Sequence, residues 1–270
     1  MDWVLGQKRP GNIFRNVSAA FPRRFSFSGR FRYACLIAHL AKMPRPKRKA
    51  VPPITSSDVD SSIRPEPKKS TTKQFDRIDN LFESYANKSL GLIDPEGIEA
   101  LCKDVNVEHT DVRMLILAWK LKAEKQGYFS KDEWRKGLKH LGADTLPKLK
   151  KSINGLKKEV MEPDCFEDFY SYAFQYCLTE DKQRSVDIET ICELLNVVLR
   201  SEFPSQVNLL IEYLKSQNDY RALNMDHWRN FYRFFKEVNF VDLGSYDSSQ
   251  AWPVILDNFV EWLKEKDKKV

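Results

Sequence analysis

Four times between residues 91 and 223 the chain repeats one short pattern: a turn residue, any residue, an apolar residue, and then at once a helical period. The copies are Gly91-Leu92-Ile93, Gly127-Tyr128-Phe129, Arg184-Ser185-Val186 and Arg221-Ala222-Leu223. An extended residue between two helices has backbone groups that its own helices cannot satisfy, and a twin of itself supplies the partners. Four such units predict two paired lobes.

The surrounding periodicity is helical throughout. Phe75, Ile78, Leu81, Phe82 and Tyr85 form one stripe, and the spans Leu146–Met161 and Pro163–Leu178 run between the two pairs. The second span carries Phe166, Phe169, Tyr170, Tyr172, Phe174 and Tyr176 around more than half its circumference, which predicts a helix shared as core by both lobes. At the end of the chain Ile255, Leu256, Phe259, Val260, Trp262 and Leu263 recur at three- and four-residue spacing, with Asp257 and Glu261 on the wetter side. Pro253 after a run of small polar residues predicts a helix start near Ala251. The expected fold is all-α, with two fused EF-hand-like helical lobes, each built as helix, strand-like residue, helix. Calcium is not expected. A calcium loop needs several carboxylates and a glutamate at position twelve, whereas the aligned ligand positions offer only Glu124 and Glu133 in the second loop, Asp181 in the third, and none in the first or fourth.

Charge divides the chain. Residues 1–73 hold 16 Lys and Arg against 4 Asp and Glu, net +12, so the overall +6 leaves −6 for the remainder. A basic arm and linker (1–73) is expected to precede an acidic folded domain (74–265), with a first lobe over about 74–160 and a second over about 161–265. The domain's sign favours basic partners over nucleic acid. Within the arm, residues 1–42 contain one acid, Asp2, among six spaced arginines. That reads as an organelle transit segment, a basic tail, or an extension upstream of a natural start at Met43. Lys47-Arg48-Lys49 is a basic cluster of nuclear-import type, which predicts nucleus and cytoplasm. Five cysteines form no C-x-x-C pair and read as buried thiols, and no apolar run is long enough to cross a membrane. His39, His109, His140 and His227 stand apart, no cysteine has a histidine partner in sequence, and zinc and phosphate-loop spacings are missing. An adaptor without cofactors is expected, not an enzyme.

Ser245-Tyr246-Asp247, Ala251-Trp252-Pro253-Val254-Ile255-Leu256-Asp257 and Phe259-Val260-Glu261-Trp262 resemble the closing signature of the defective-in-cullin-neddylation family. The resemblance extends back through Leu115–Lys120, Phe129–Trp134 and Phe166–Tyr170 to about Phe75. It implies a potentiating-neddylation domain: a non-catalytic co-ligase that holds a cullin's C-terminal winged-helix domain and the N-acetylated conjugating enzyme together, beside the RING-box ligase subunit, and so activates cullin-RING ubiquitin ligases. The family's cullin-binding triad falls here on Asp226, Ala251 and Asp257. Its pocket for the acetylated methionine falls on Ile98, Met114, Leu117, Ala118, Leu121, Phe129, Tyr176, Leu194 and Val197, with Gln126 as the polar member. Tyr176, Gly127 and His109 stand where Phe, Cys and Pro occur in other members. Read without the resemblance, Asp226 is a helix N-terminal acid, Ala251 a helix former and the pocket residues ordinary core. The competing function is a calcium-free EF-hand-like module that binds some other amphipathic helix; such a module has no need of the triad.

Overall fold

The structure, a computed structural model, describes residues 69–240 and 243–268. The cluster Lys47-Arg48-Lys49, like the rest of the chain up to residue 68, lies outside the described residues. Helix α1 (Lys69–Glu83) begins within the stretch expected to be linker and buries Ile78 and Phe82. The backbone then turns through β1 (Ala86–Asn87) and β2 (Leu92–Ile93) into α2 (Pro95–Val105). After α3 (Val112–Leu121) come β3 (Phe129–Ser130) and α4 (Lys131–His140). Ile93 stands opposite Phe129 in an antiparallel ladder, the twin pairing of the first two units.

A third strand was not foreseen: Ala86 also pairs with Ile93. Gly91, at φ +66°, makes this possible, because its left-handed turn brings its amide within 2.8 Å of the Asn87 carbonyl and folds β1 back onto β2. Asp94 then starts α2 by accepting from the Gly97 amide at 3.0 Å, and Ser130 and Glu133 form a reciprocal cap that starts α4.

The second lobe repeats the order. It runs β4 (Ser185–Asp187), α7 (Ile188–Val198), α8 (Pro204–Ser216), β5 (Ala222–Asn224), α9 (Met225–Glu237) and α10 (Val254–Asp267), with Val186 opposite Leu223. Both ladders follow from the repeated pattern.

Two helices join the lobes. α5 (Leu146–Val160) turns Leu149, Ile153, Leu156 and Val160 inward onto α2 and α3. α6 (Pro163–Gln175) packs on α3 and α5 on one side and on α7 and α9 on the other, as its aromatic circumference predicts. Its fixing point is Tyr170 against Trp228, rings stacked at 4.3 Å. Tyr170 donates to the Trp228 carbonyl and Trp228 to the Tyr170 carbonyl, each at 2.8 Å, so both buried polar tips are satisfied while two large rings leave water. Cys102, Cys177 and Cys192 are buried; burial pushes their thiols up to about 11, 12 and 11, so they stay protonated and pack as apolar groups. No helix among the described residues is long and apolar enough to cross a membrane, and none of their His, Cys, Asp and Glu side chains gather in threes as a metal site would require.

One helix boundary needs correction. The last helix starts at Val254, with Pro253 as its extended N-terminal flank (ψ 140°) and no side-chain cap from the polar run before it. The proline ring disfavours helical geometry in the preceding residue, so Trp252 stays outside the helix and Ala251 belongs to an exposed loop.

Candidate functional site: an acidic outer face and an apolar cavity

Asp226 is the second residue of α9 and is exposed. Asn224 caps that helix by accepting from the His227 amide at 3.0 Å, and His227 Nδ1 accepts from the Asn224 amide at 3.3 Å. Asp226 is thus an acid in a first turn, where the helix dipole favours it. Along the same face, at four-, seven- and eleven-residue spacing, lie Asn230, Arg233 and Glu237. Asn230 donates to the Asp226 carboxylate at 3.2 Å and Arg233 to Glu237 at 3.0 Å.

Arg233 carries the face across to the loop. Its second arm donates to Gln250 at 3.2 Å, and its guanidinium lies 4.2 Å from the centre of the Trp252 ring. Ala251 sits exposed between those two contacts. The buried Trp252 ring stacks on Tyr246, whose hydroxyl donates to the Asp257 carboxylate in the first turn of α10. Two sets of contacts thus make up this face: Asp226 with Asn230, and Arg233 through Gln250, Trp252 and Tyr246 to Asp257, with Asn230 and Arg233 three residues apart on one side of α9.

Asp257 is not the freely solvated acid that its spacing predicts. It is half-buried and braces its own loop, while Glu261, one turn on, is exposed. Burial and the neighbouring Asp257 charge together push the Tyr246 phenol well above its ordinary range, so it remains a donor to that carboxylate. One Asp257 oxygen thus accepts from within its own loop.

In the first lobe a cavity of about 40 Å³ is lined by Ile98, His109, Met114, Leu115, Ala118, Gln126, Gly127, Phe129 and Tyr176. Six of these, Ile98, Met114, Ala118, Gln126, Phe129 and Tyr176, are expected pocket residues. The other four expected members are elsewhere. Leu117 and Leu121 are core, Leu121 lying against Gly137 so closely that a Cβ there would be 2.3 Å away; Leu194 is buried in α7, and Val197 lines a separate groove with Arg113 and Arg200. α3 buries Met114 through Ala118 and Leu121, so its sequence does not reveal which of these apolar residues meets the void; the packing of α5 on it decides.

Leu115 was missed for the same reason. His109 and Gly127 carried a signal, as departures from the family pattern. The Tyr176 hydroxyl, just past α6, accepts from the Gly127 amide at 3.1 Å, and its ring stacks on Tyr172 at 5.3 Å. Among the described residues no Asp, Glu, Lys or Arg lines the cavity.

A helical domain with paired strand-like turns, an acidic outer face and an uncharged inner cavity belongs to the class of docking proteins. Residues 148–262 match the family described as "Cullin binding". The human "DCN1-like protein 5" is 40% identical over 183 residues, 68% of this chain and 75% of that protein. The human "DCN1-like protein 4" is 39% identical over 185 residues (68% and 62%), and the Drosophila melanogaster "DCN1-like protein 4" 36% over 176 (65% and 69%). The chain belongs to the DCN1-like, or defective-in-cullin-neddylation, family.

Proposed function

We propose that this protein is a scaffold without catalytic residues of its own, which grips a cullin through the Asp226, Ala251 and Asp257 face and the conjugating enzyme through the first-lobe cavity. Its family makes it a co-ligase for cullin neddylation, and the helix-binding alternative is not favoured. The observation that supports the outer-face reading is that all three triad residues lie within the stretch that matches the cullin-binding family, with Asp226 and Ala251 exposed and Asp257 half-buried on the second lobe. Two carboxylates flanking a small residue suit Lys or Arg side chains brought in on a closely approaching backbone. The acetylated amino terminus suits the cavity because acetylation removes a charge that has no counter-ion there. With both partners and the RING-box subunit held together, transfer of the ubiquitin-like modifier to the cullin lysine becomes effectively intramolecular.

The test is calorimetry with a cullin C-terminal domain. Asp226→Lys is expected to weaken binding at least about tenfold, the range for charge pairs at interfaces, while the melting temperature stays put because the residue is exposed. Unchanged affinity with normal melting removes the outer face from this role. For the cavity, an acetylated-methionine peptide is expected to bind markedly more tightly than its free-amine twin, and equal binding removes it. A reconstituted transfer assay with both variants then reports the consequence.

A further inference from the structure

We propose that the Tyr176 hydroxyl is a specificity-determining donor, giving its hydrogen to the carbonyl oxygen of an acyl-capped amino terminus seated in the first-lobe cavity. The inference rests on the reading of that cavity as the docking site for an acetylated terminus, and goes beyond it by naming the group that recognises the acyl carbonyl.

A phenol can accept and donate at once. Here the acceptor side is used, since the Gly127 amide donates to Tyr176 Oη at 3.1 Å. The hydroxyl's own hydrogen has no acceptor within hydrogen-bond distance among the described residues. Burial holds the phenol far above its ordinary range, so that hydrogen is always present. Tyr176 and Gly127 both line the cavity, and the remaining walls are Ile98, Met114, Leu115, Ala118 and Phe129, with Gln126 and His109 as polar members.

The donor is also held still. The Gly127 amide fixes the oxygen on one side, and the ring stacks on Tyr172, whose own hydroxyl donates to the Ala123 carbonyl at 2.9 Å. A donor fixed in advance loses little entropy when a ligand arrives. Leaving a buried hydroxyl hydrogen unmatched is unfavourable, so the cavity favours an occupant with an acceptor and no charge. An acetamide has that chemistry; a free ammonium is a donor only and meets no carboxylate in these walls.

The experiment uses the full chain and three peptides of one sequence, beginning with acetyl-methionine, thioacetyl-methionine and free methionine, with binding followed by fluorescence anisotropy. Sulfur is the poorer acceptor, so wild-type protein is expected to prefer acetyl over thioacetyl by about 3- to 10-fold, the span of one buried hydrogen bond. In Tyr176→Phe that ratio is expected to fall to about one. Any change in packing, or in the partner of the Gly127 amide, weakens both peptides alike and leaves the ratio unmoved. A ratio near one in wild type, or the same preference in both proteins, overturns the inference while acetyl remains ahead of free amine. If acetyl and free-amine peptides bind equally, or none binds, the docking reading fails and the inference with it.

Discussion

In the first lobe Ile93 pairs with Phe129 and the helices close over a small void, walled on one side by Tyr176. In the second, Val186 pairs with Leu223, and the space beneath α9 and α10 is taken by rings: Phe234 lies 5.6 Å from Trp252, 5.9 Å from Phe259 and 5.5 Å from Phe240. The same order of turn, strand and helix thus gives a hollow lobe and a filled one. Filling decides where recognition can happen. A hollow lobe admits a side chain or an end group; a filled, rigid lobe offers only its outside, so its information must be polar and on the surface. The acidic face of the second lobe and the uncharged cavity of the first are two outcomes of one architecture.

The comparison breaks most visibly at the joint between the lobes. Trp228→Ala removes the ring that stacks on Tyr170 and the bond its indole N–H donates to the Tyr170 carbonyl; a loss of about 3–5 kcal/mol is expected, as for other buried tryptophans, read as a fall in the urea midpoint. Next comes the same substitution placed twice. Ala173 is fully buried in α6, so Ala173→Val is expected to cost about 1–3 kcal/mol through overpacking, whereas Ala118→Val has the cavity to grow into and should cost well under half of that. Peptide binding should move the other way, lost in Ala118→Val and kept in Ala173→Val. Equal costs at the two sites would mean that the void is not there.

A third prediction separates the two acids of the outer face. Tyr246→Phe frees the Asp257 oxygen and is expected to cost about 1 kcal/mol, because the pair is only half-buried and solvent-screened. Asn230→Ala, beside exposed Asp226, should lie within about 0.5 kcal/mol of wild type. Thermal melts of the two variants decide whether Asp257 alone is braced.

The smallest effect is a pH dependence. His227 Nδ1 accepts a hydrogen bond in the α9 cap, and burial lowers its pKa, with Asp226 opposing. A histidine depressed in the fold binds more protons when unfolded, so its contribution is complete above the unfolded value near 6.5 and is lost as pH falls from there through the folded value. His227→Gln keeps an acceptor at the capping position and should flatten that slope, seen as a smaller difference between melting temperatures at pH 7 and pH 5.

Much of the fold was legible because its signals are local. The pairings Ile93 with Phe129 and Val186 with Leu223 follow from one apolar residue placed two after a turn residue, and the central place of α6 follows from rings that no single neighbour could cover. The residues Asp226, Ala251 and Asp257 stand out only through the family resemblance, as residue types at matched positions. The brace on Asp257 was not legible, since Tyr246 and Asp257 are eleven residues apart in sequence and meet only when the loop folds back onto α10. The cavity was half legible: Ile98, Met114, Ala118, Gln126, Phe129 and Tyr176 line it, but Leu117, Leu121, Leu194 and Val197 do not. Apolar character tells that a residue leaves water, not whether it meets a neighbour or a gap. Asn230 and Arg233, on the same side of α9 as Asp226, did carry a periodic signal, at four and seven residues after it.

By itself, then, the sequence determined the helices, the two ladders, the acidic domain behind a basic arm, and the family, because periodicity, turn chemistry and charge are written along the chain. Tertiary structure alone decided which lobe stayed hollow, that α10 begins after Pro253 and leaves Ala251 in an exposed loop, and that one oxygen of Asp257 is turned inward. Those outcomes depend on volumes and distances summed over several helices, and no stretch of sequence short enough to read as a pattern contains that sum.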